Sequence, residues 1–374
     1  MAISWFFEKP YETPVAALNA SDRSWVLNSA GFNLRTQGRF AEALPPLRAA
    51  LSAVSWMAEK QVDWLNIAIG TSNLSQTELF VGEVSAAIAT AEQSIANADR
   101  SGNDFQMLAT RTILADALHA AGHRDEAKML FVDAERRQKE WQPVQPLLYS
   151  LSGYRYCELL LSNRDHAVAR DRAARALELA RLDNQLLSIA LDTLTLGRAI
   201  LASAAENAAG SPSASTAQND TRIAAASLDQ AAEGLRASGS NDHLPRGLLA
   251  RAAFRRSVGD WDGAARDLDE VEEIAEPGPM RLFQCDAALE RARLAFAKLE
   301  AFAPLNGLVD DSARKLDLPD GAEAARLTEE ATANLATARE LIAKCGYHRR
   351  DEELAELEDV AAGRRRFADL SPRV

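Results

Sequence analysis

The amino-acid sequence predicts an all-α protein: a right-handed α-α superhelix, or solenoid, of about six to seven helical hairpins with a C-terminal capping helix. Hydrophobic residues make up 47% of the chain but aromatic residues only 6%, and alanine is abundant. This composition suits closely packed helices better than sheets of β-branched residues, so we expect no strands. A pattern of small residues and turn glycines also recurs along the chain, as in helical-repeat proteins.

The first copy of the pattern reads NSAGFNLRTQGRFAEALPPLRAAL and spans Asn28 to Leu51. It predicts a first helix with a small residue at Gly31, a turn at Gly38, and a second helix with a small residue at Ala43. Two helices approach each other closely only where small side chains lie at the crossing. Each copy therefore predicts one antiparallel hairpin.

Two regular copies follow the first. SNLSQTELFVGEVSAAIATAEQSI has its turn at Gly82 and its small residue at Ala87, and LADALHAAGHRDEAKMLFVDAE has them at Gly122 and Ala127. The fourth copy, YRYCELLLSNRDHAVARDRAARAL, is weaker: we expect Asn163 to replace the turn glycine and Ala167 to be the small residue.

Later copies are interrupted. LLSIALDTLTLGRAILASA predicts a first helix with Gly197 at the crossing, followed by a Gly/Pro/Ser/Asn-rich stretch and then its partner helix. The sixth copy is regular, with Gly259 at the turn and Ala264 at the crossing. The seventh is split by a loop. We divide the chain into an N-terminal segment (1–23), repeats one to five (24–202), a disordered insertion (203–222), the remaining repeats (223–346) with a loop at 304–321, a capping helix (347–362) and a loose basic tail (363–374).

These repeats resemble tetratricopeptide units over about Ser24 to Gly346, although the small residues are spaced by 44, 40 and 40 residues and the commonest period of that family is about 34. The longer period resembles maltose-regulator-like arrays. The segments NLSQTELFVGEVSAAIATAEQSI, EPGPMRLFQCDAALERARLA and CGYHRRDEELAEL resemble the C-terminal repeats of bacterial NACHT and NB-ARC signal-transduction ATPases. In those proteins the array is a sensor arm that recognises a ligand.

That resemblance implies a protein or peptide ligand and a separate ATPase or effector subunit as partners. The chain departs from those ATPases because it contains no GxxxxGK[S/T] phosphate loop. It would therefore act either as the sensor arm of a larger polypeptide or in trans with other subunits.

The charge and cysteine content restrict the other partners. A net charge of −12 disfavours nonspecific binding to nucleic acid or to an anionic membrane. Cys157, Cys285 and Cys345 are far apart and odd in number, which argues against a disulfide framework. Since the sequence has no signal-peptide pattern, we expect a cytoplasmic protein.

Catalytic, metal and cofactor signatures are not found in the sequence. It lacks HExxH and GxSxG motifs and any Cys/His pair at ligand spacing. His119 and His123 are four residues apart, but Gly122 in the predicted turn places His123 off the helix. We therefore expect a noncatalytic protein with no metal site and no cofactor.

The concave face is the expected binding surface, because the first helix of each hairpin lines it. Mixed aromatic, amide and charged side chains on that face suit peptide capture: amides pair with a peptide backbone and aromatics supply contact area. The spacing selects the following residues: Trp25, Asn28, Phe32, Arg35, Asn73, Gln76, Phe80, Thr112, Asp116, His119, Tyr149 and Tyr156.

One specific peptide-binding mode is not predicted. The carboxylate clamp of chaperone-binding tetratricopeptide arrays needs an amide in the second unit, where Asn73 matches. Asn28 and Phe32 stand at its first-unit positions and Ala109 and Ile113 at its third-unit positions, where the clamp needs Lys, Asn and Arg. We do not expect binding to chaperone C-terminal tails.

The leading hypothesis is a noncatalytic scaffold, acting as a sensor or adaptor in a bacterial signalling or defence system. An alternative is a regulatory subunit that acts on transcription through a partner protein, although we find no helix-turn-helix. A third is an enzyme with an active site spread over the array, which lacks any recognisable nucleophile.

Overall fold

The computed structural model describes residues 2–54, 63–208, 214–302 and 321–370. Fifteen α-helices dominate these described residues. They are α1 (Ala20–Thr36), α2 (Phe40–Ser52), α3 (Trp64–Phe80), α4 (Val84–Ser101), α5 (Asp104–Ala120), α6 (Arg124–Trp141), α7 (Ser150–Ser162), α8 (His166–Leu182), α9 (Leu186–Ala208), α10 (Ala214–Ala237), α11 (Leu244–Ser257), α12 (Trp261–Ala275), α13 (Arg281–Phe302), α14 (Gly321–Cys345) and α15 (Asp351–Ala361).

Consecutive helices pair into seven hairpins, from α1/α2 to α13/α14, and each hairpin packs against the next. The predicted all-α solenoid is confirmed. α15 packs on α14 and buries Leu354 and Leu357, in the position expected of a capping helix.

The hairpin turns have the geometry that the glycine pattern predicts. Gly38, Gly82, Gly122 and Gly259 adopt left-handed backbone angles, with φ between +79° and +86°. A residue with a Cβ is strained in this conformation, whereas glycine is not. Several first helices also begin with a side-chain cap: Asn19 and Asn103, for example, accept hydrogen bonds from the backbone N–H three residues further on.

The register of the fourth hairpin differs from our prediction. The left-handed residue is Arg164 rather than Asn163, and Ala169 rather than Ala167 is the fully buried small residue of α8. Ala167 is exposed. The left-handed residue stands two positions before the second helix in each of these hairpins, and Ala169 occupies the same helical position as Ala127 in α6. Without a glycine, sequence alone did not locate this turn.

The hairpins form two layers. We call the odd-numbered helices from α1 to α13 the inner helices and the even-numbered helices from α2 to α14 the outer helices. Each inner helix contacts the next inner helix as well as its outer partner. Small residues permit the close crossings: a Cβ at Gly31 of α1 would lie 2.4 Å from Leu47 of α2.

The two ends of the array meet. The seventh hairpin packs on the second and third, with the rings of Phe80 and Phe283 5.8 Å apart. The loop after α10 returns to α1, where the backbone N–H of Asn241 donates to the carbonyl of Thr36 at 3.1 Å. The solenoid therefore closes on itself, and the concave face that we expected as a groove surrounds a central space.

Two sequence expectations are wrong. A short antiparallel pair of strands, β1 (Phe7–Lys9) and β2 (Thr13–Pro14), lies before α1, where we expected none. α9 and α10 cover 203–208 and 214–222, which we assigned to a disordered insertion. Alanine, the best helix former, recurs on both sides of the Gly/Pro/Ser cluster and extends both helices. Residues 209–213 lie outside the described residues, as do 304–320 of the expected loop.

The basic tail is also not loose in its described part. Phe367 lies against Phe296 of α13, with ring centroids 6.2 Å apart. The backbone N–H of Ala368 donates to Glu300 at 3.1 Å. An apolar residue of the tail thus packs on α13, whereas the prediction of a loose tail considered only its arginines.

α9 contains a stretch, Leu186–Ala204, that is long and apolar enough to cross a membrane by length and composition. In the structure its residues Leu191 and Leu194 are fully buried against α10 and α11. Its apolar character is accounted for by its place between neighbouring hairpins.

Candidate functional site: a charged cavity at the centre of the array

The central space contains a cavity of about 130 Å³. Inner helices and the residues that lead into α15 supply its walls, so it exists only because the array closes. Its lining combines apolar rings with charged groups of both signs; the charged and aromatic members are Phe80, Asp116, Tyr154, Glu158, Arg198, Arg246, Phe283, Asp286, Glu290, Arg293, Tyr347, Arg349, Arg350 and Glu353.

Glu158 of α7 joins three separate parts of the chain. Arg198 of α9 donates to one of its carboxylate oxygens, and Arg349 donates to the other at 3.2 Å. Burial alone would disfavour the charged carboxylate, but the two guanidinium groups outweigh it and lower the pKa of Glu158. Glu158 is therefore ionised, and each of its carboxylate oxygens accepts a hydrogen bond from an arginine.

A second set of ion pairs holds the C-terminal segment to α13. Arg350 donates to both oxygens of Asp286 at 2.8 and 3.0 Å and to Glu353 at 3.0 Å. Arg293 also pairs with Glu353, and Arg256 donates to Glu290 at 2.5 Å. Paired in this way, the buried charges satisfy one another and close the array.

Arg246 of α11 is different. Its guanidinium carbon lies 5.7 Å from the ring centroids of Phe80 and Tyr154 and 5.3 Å from that of Phe283. Its Nε is buried without a hydrogen-bond partner, and no described carboxylate lies within ion-pairing distance. Burial disfavours its charge, but the field of Tyr154, Asp116 and Glu158 outweighs this and raises the pKa of Arg246.

The aromatic contacts do not replace an ion pair. A cation–π contact stabilises a cation by roughly 0.5–2 kcal/mol, whereas removing an ion from water costs several kcal/mol after relaxation. Arg246 is therefore held by aromatic contacts and by the field of Asp116 and Glu158, without a direct ion pair to a described carboxylate.

A track of polar side chains runs from the cavity toward α1. Asp116 forms an ion pair with Arg155 at 3.6 Å, and Arg155 also donates a hydrogen bond to the side-chain oxygen of Gln76 at 2.6 Å. Further along, Arg35 lies 3.7 Å from Asp242, and its guanidinium carbon lies 5.0 Å from the ring centroid of Phe32. Phe32 is 41% exposed, so the track ends at the surface.

Two buried histidines flank these groups. His119 contacts Ser162 at 3.1 Å through Nε2, and His243 lies beside Asp242. Burial lowers the pKa of both imidazoles well below the usual range, and nearby arginines lower it further. Both rings are neutral at pH 7 and do not alter the charge balance of the site.

The predicted site residues divide into two groups. Phe80 and Asp116 line the cavity, and Phe32, Arg35 and Gln76 belong to the track that leads from it. These five are brought together by the closure of the array.

Most of the other seven lie in contacts between helices. Asn73 donates to Asn28 at 3.0 Å, Thr112 bonds Ser152 at 3.2 Å, and His119 is fully buried. Tyr156 is not on the concave face: its ring stacks on Phe131 of α6, 4.9 Å away, and under Arg172 of α8.

Tyr149 and Trp25 are also away from the cavity. Tyr149 precedes α7 and donates to Gln142, and Trp25 is half exposed on α1. Helical spacing alone could not separate these directions, because an inner helix is covered on nearly every side.

Sequence reasoning missed Glu158, Arg198, Arg246 and the C-terminal arginines. A signal was present: each inner-helix charge interrupts an apolar run, as in YRYCELLL, TLGRAIL and LPRGLLA. A charge in the first, more buried helix of a hairpin must be paired or functional. The described residues bring together no three His, Cys, Asp or Glu side chains that could hold a metal ion.

Comparison with known proteins gives one structural likeness to report and no match by sequence. No protein-family model matches the sequence, and no curated protein matches it. Among solved structures, the chain is similar to the crystal structure of a Rap protein complexed with competence and sporulation factor. The match covers 92% of this chain and 100% of that one, with 11% identity and a TM-score of 0.48.

Proposed function

We propose that this protein is a noncatalytic helical-repeat scaffold that binds a protein or peptide ligand through its concave side. The observation that carries the proposal is the central cavity, with its track of polar and aromatic side chains from Asp116 to the exposed Phe32. Peptide-binding sites combine apolar contact area with a few directed polar groups, as this track does.

The charges of the site favour binding over proton transfer. Glu158, Asp286 and Glu353 are each held by arginines, and His119 and His243 are buried and neutral. A general acid or base needs a pKa near the working pH and access to substrate. These groups instead form a rigid frame around the cavity.

A sensor or adaptor role in a bacterial signalling or defence system, in the cytoplasm and with a separate ATPase or effector subunit, is the finer part of the proposal. It is supported by the resemblance of three sequence segments to the sensor repeats of NACHT and NB-ARC ATPases. A closed array is suited to this role, since a ligand that enters the cavity contacts both ends of the solenoid at once.

Site-specific photocrosslinking tests the proposal. A photoreactive phenylalanine replaces Phe32, and the intact chain is irradiated in an extract of its native cells. Phe105, which is 51% exposed at the start of α5, receives the same replacement as a control. We expect a polypeptide crosslinked to position 32 and not to position 105. No crosslinked polypeptide, or equal labelling at both positions, would contradict the proposal.

A further inference from the structure

We infer that the cavity binds a carboxylate group of the ligand and that the guanidinium of Arg246 is its anchor. The inference rests on the proposed function and deepens it, because it names the chemical group that the ligand must contain and the residue that binds this group.

The described charged groups that line the cavity each form an ion pair, except Arg246. Arg349 is paired with Glu158, Arg350 with Asp286 and Glu353, and Arg293 with Glu353. Arg246 lies among these pairs without a carboxylate of its own. An ionised group buried in a protein normally has a partner of opposite charge, so an anion from outside the chain completes the set.

The surroundings of Arg246 prepare it for a planar anion. Phe80, Tyr154 and Phe283 surround the guanidinium at 5.3 to 5.7 Å and restrict its orientation. The aromatic rings beside the guanidinium also lower the local dielectric, which strengthens a charged hydrogen bond. A guanidinium that faces a cavity with its donors in one plane matches the two oxygens of a carboxylate.

A doubly charged anion fits less well. Asp116 and Glu158 are close enough to Arg246 to influence its charge, and their oxygens would repel a second negative charge on the ligand. A phosphate monoester carries about two negative charges at neutral pH. The carboxylate can come from the C-terminus of a peptide or from a small organic acid, and the test separates these sources.

The probes are tripeptides without Asp or Glu in two forms, with a free C-terminal carboxylate or with a C-terminal amide, together with the monocarboxylates acetate, propionate and phenylacetate. Ligand binding to the full chain is measured by isothermal titration and by the shift of the melting temperature. Arg246→Met removes the anchor. Arg266→Met changes an exposed arginine of α12 and is the matched control.

We expect the free-acid tripeptides to bind and the amides to bind about tenfold or more weakly, as the loss of a charged hydrogen bond predicts. Arg246→Met should abolish that difference and Arg266→Met should preserve it. Arg246→Lys keeps the charge but loses the planar pair of donors. It should bind with intermediate affinity, and it serves as the test if the methionine variant does not fold.

The remaining outcomes distinguish this inference from the proposed function. Equal binding of acids and amides, unchanged in both Arg246 variants, would overturn the carboxylate anchor while peptide binding stands. Monocarboxylates that bind in an Arg246-dependent way, with no binding of any peptide, would support the anchor and contradict a peptide ligand. Binding of neither class would overturn the inference.

Discussion

The outer and inner helices of this array differ in the kind of residue that they bury. Outer helix α6 buries one stripe, which includes Ala127, Phe131 and Ala134, and exposes charged residues on its other side. Inner helix α5 is buried over most of its surface and includes threonines, Arg111 and His119 among its buried residues. An outer helix follows the rule for a surface helix, whereas an inner helix must place polar groups in the interior.

Most of those inner polar groups are satisfied locally. Ser75 of α3 donates to the carbonyl of Ala87 at 2.7 Å, and Ser72 bonds Ser94 of α4 at 2.9 Å. Some keep a buried polar atom without a hydrogen-bond partner: Arg35, Glu78, His119, Tyr154, Asp192 and Arg246. Since buried polar groups are normally paired, such groups are where function or a pH response is expected. Arg246 faces the cavity, and burial alone shifts the pKa of Asp192.

The largest expected effect is the loss of a closing ion pair. Arg350→Met would leave Asp286 without its two-donor partner and weaken the hold on Glu353. Stranding one partner of a buried pair typically destabilises a protein by about 3–5 kcal/mol. Urea denaturation monitored by circular dichroism measures the change. Unfolding at the wild-type midpoint would show that the inner charges do not hold the array closed.

Asp192, a carboxyl group on inner helix α9, makes the stability of the folded state depend on pH. Burial raises the pKa of its carboxyl to about 8, against about 3.9 in an unfolded chain. Between these values the folded state holds a proton that the unfolded state has lost, so this group's contribution to stability falls as the pH rises and levels off above about 8.

Asp192→Asn should remove that dependence. Its stability advantage over the wild type should be small at pH 4 and grow by about 1.4 kcal/mol per pH unit toward pH 8. Urea unfolding of both proteins at several pH values measures this difference. A constant difference across the range would show that Asp192 titrates normally.

An outer-helix crossing should respond to volume rather than to charge. Ala127 is fully buried where α6 packs on α5, so Ala127→Leu introduces three carbons into a filled space. Overpacking of this kind costs roughly 1–3 kcal/mol. Thermal unfolding of Ala127→Leu beside Ala167→Leu, at an exposed position on α8, tests the register. Equal melting temperatures for the two variants would contradict it.

The smallest effect is expected between outer helices. Arg236 of α10 donates to Glu270 of α12 at 2.7 and 2.9 Å, but all these groups are partly exposed. Exposed ion pairs contribute about 0.2–1 kcal/mol, so Arg236→Ala should change stability far less than Arg350→Met. A loss of stability as large as that of Arg350→Met would show that ion pairs between outer helices contribute as much as the buried pairs around the cavity.

The sequence predicts the outer layer well because its signals are local. The glycine turns, the stripe with Ala127 and the crossing at Ala264 each lie within one hairpin and follow helical spacing. Where a local signal was missing, in the fourth hairpin, the predicted turn was displaced by one residue and the predicted small residue by two. The hairpin order and the all-α fold were therefore accessible without a structure.

The site was less accessible because its contacts join distant parts of the chain. Glu158 and Arg349 are 191 residues apart in the sequence, and their pairing depends on the closure of the array. Whether Arg246 has a partner likewise depends on seven hairpins and the C-terminal segment together. Helical spacing identified residues on the inner helices, but it could not tell the cavity from the contacts between helices.

Whether Arg246 is a ligand anchor or part of the structural frame is tested by the unfolding free energy of Arg246→Met, measured in urea without any ligand. If Arg246 is held for a ligand, its removal breaks no ion pair with a described carboxylate, so the variant should lose no more than the roughly 0.5–2 kcal/mol of a cation–π contact. A loss of about 3–5 kcal/mol, comparable to that expected for Arg350→Met, would show that Arg246 is part of the structural frame and contradict the account.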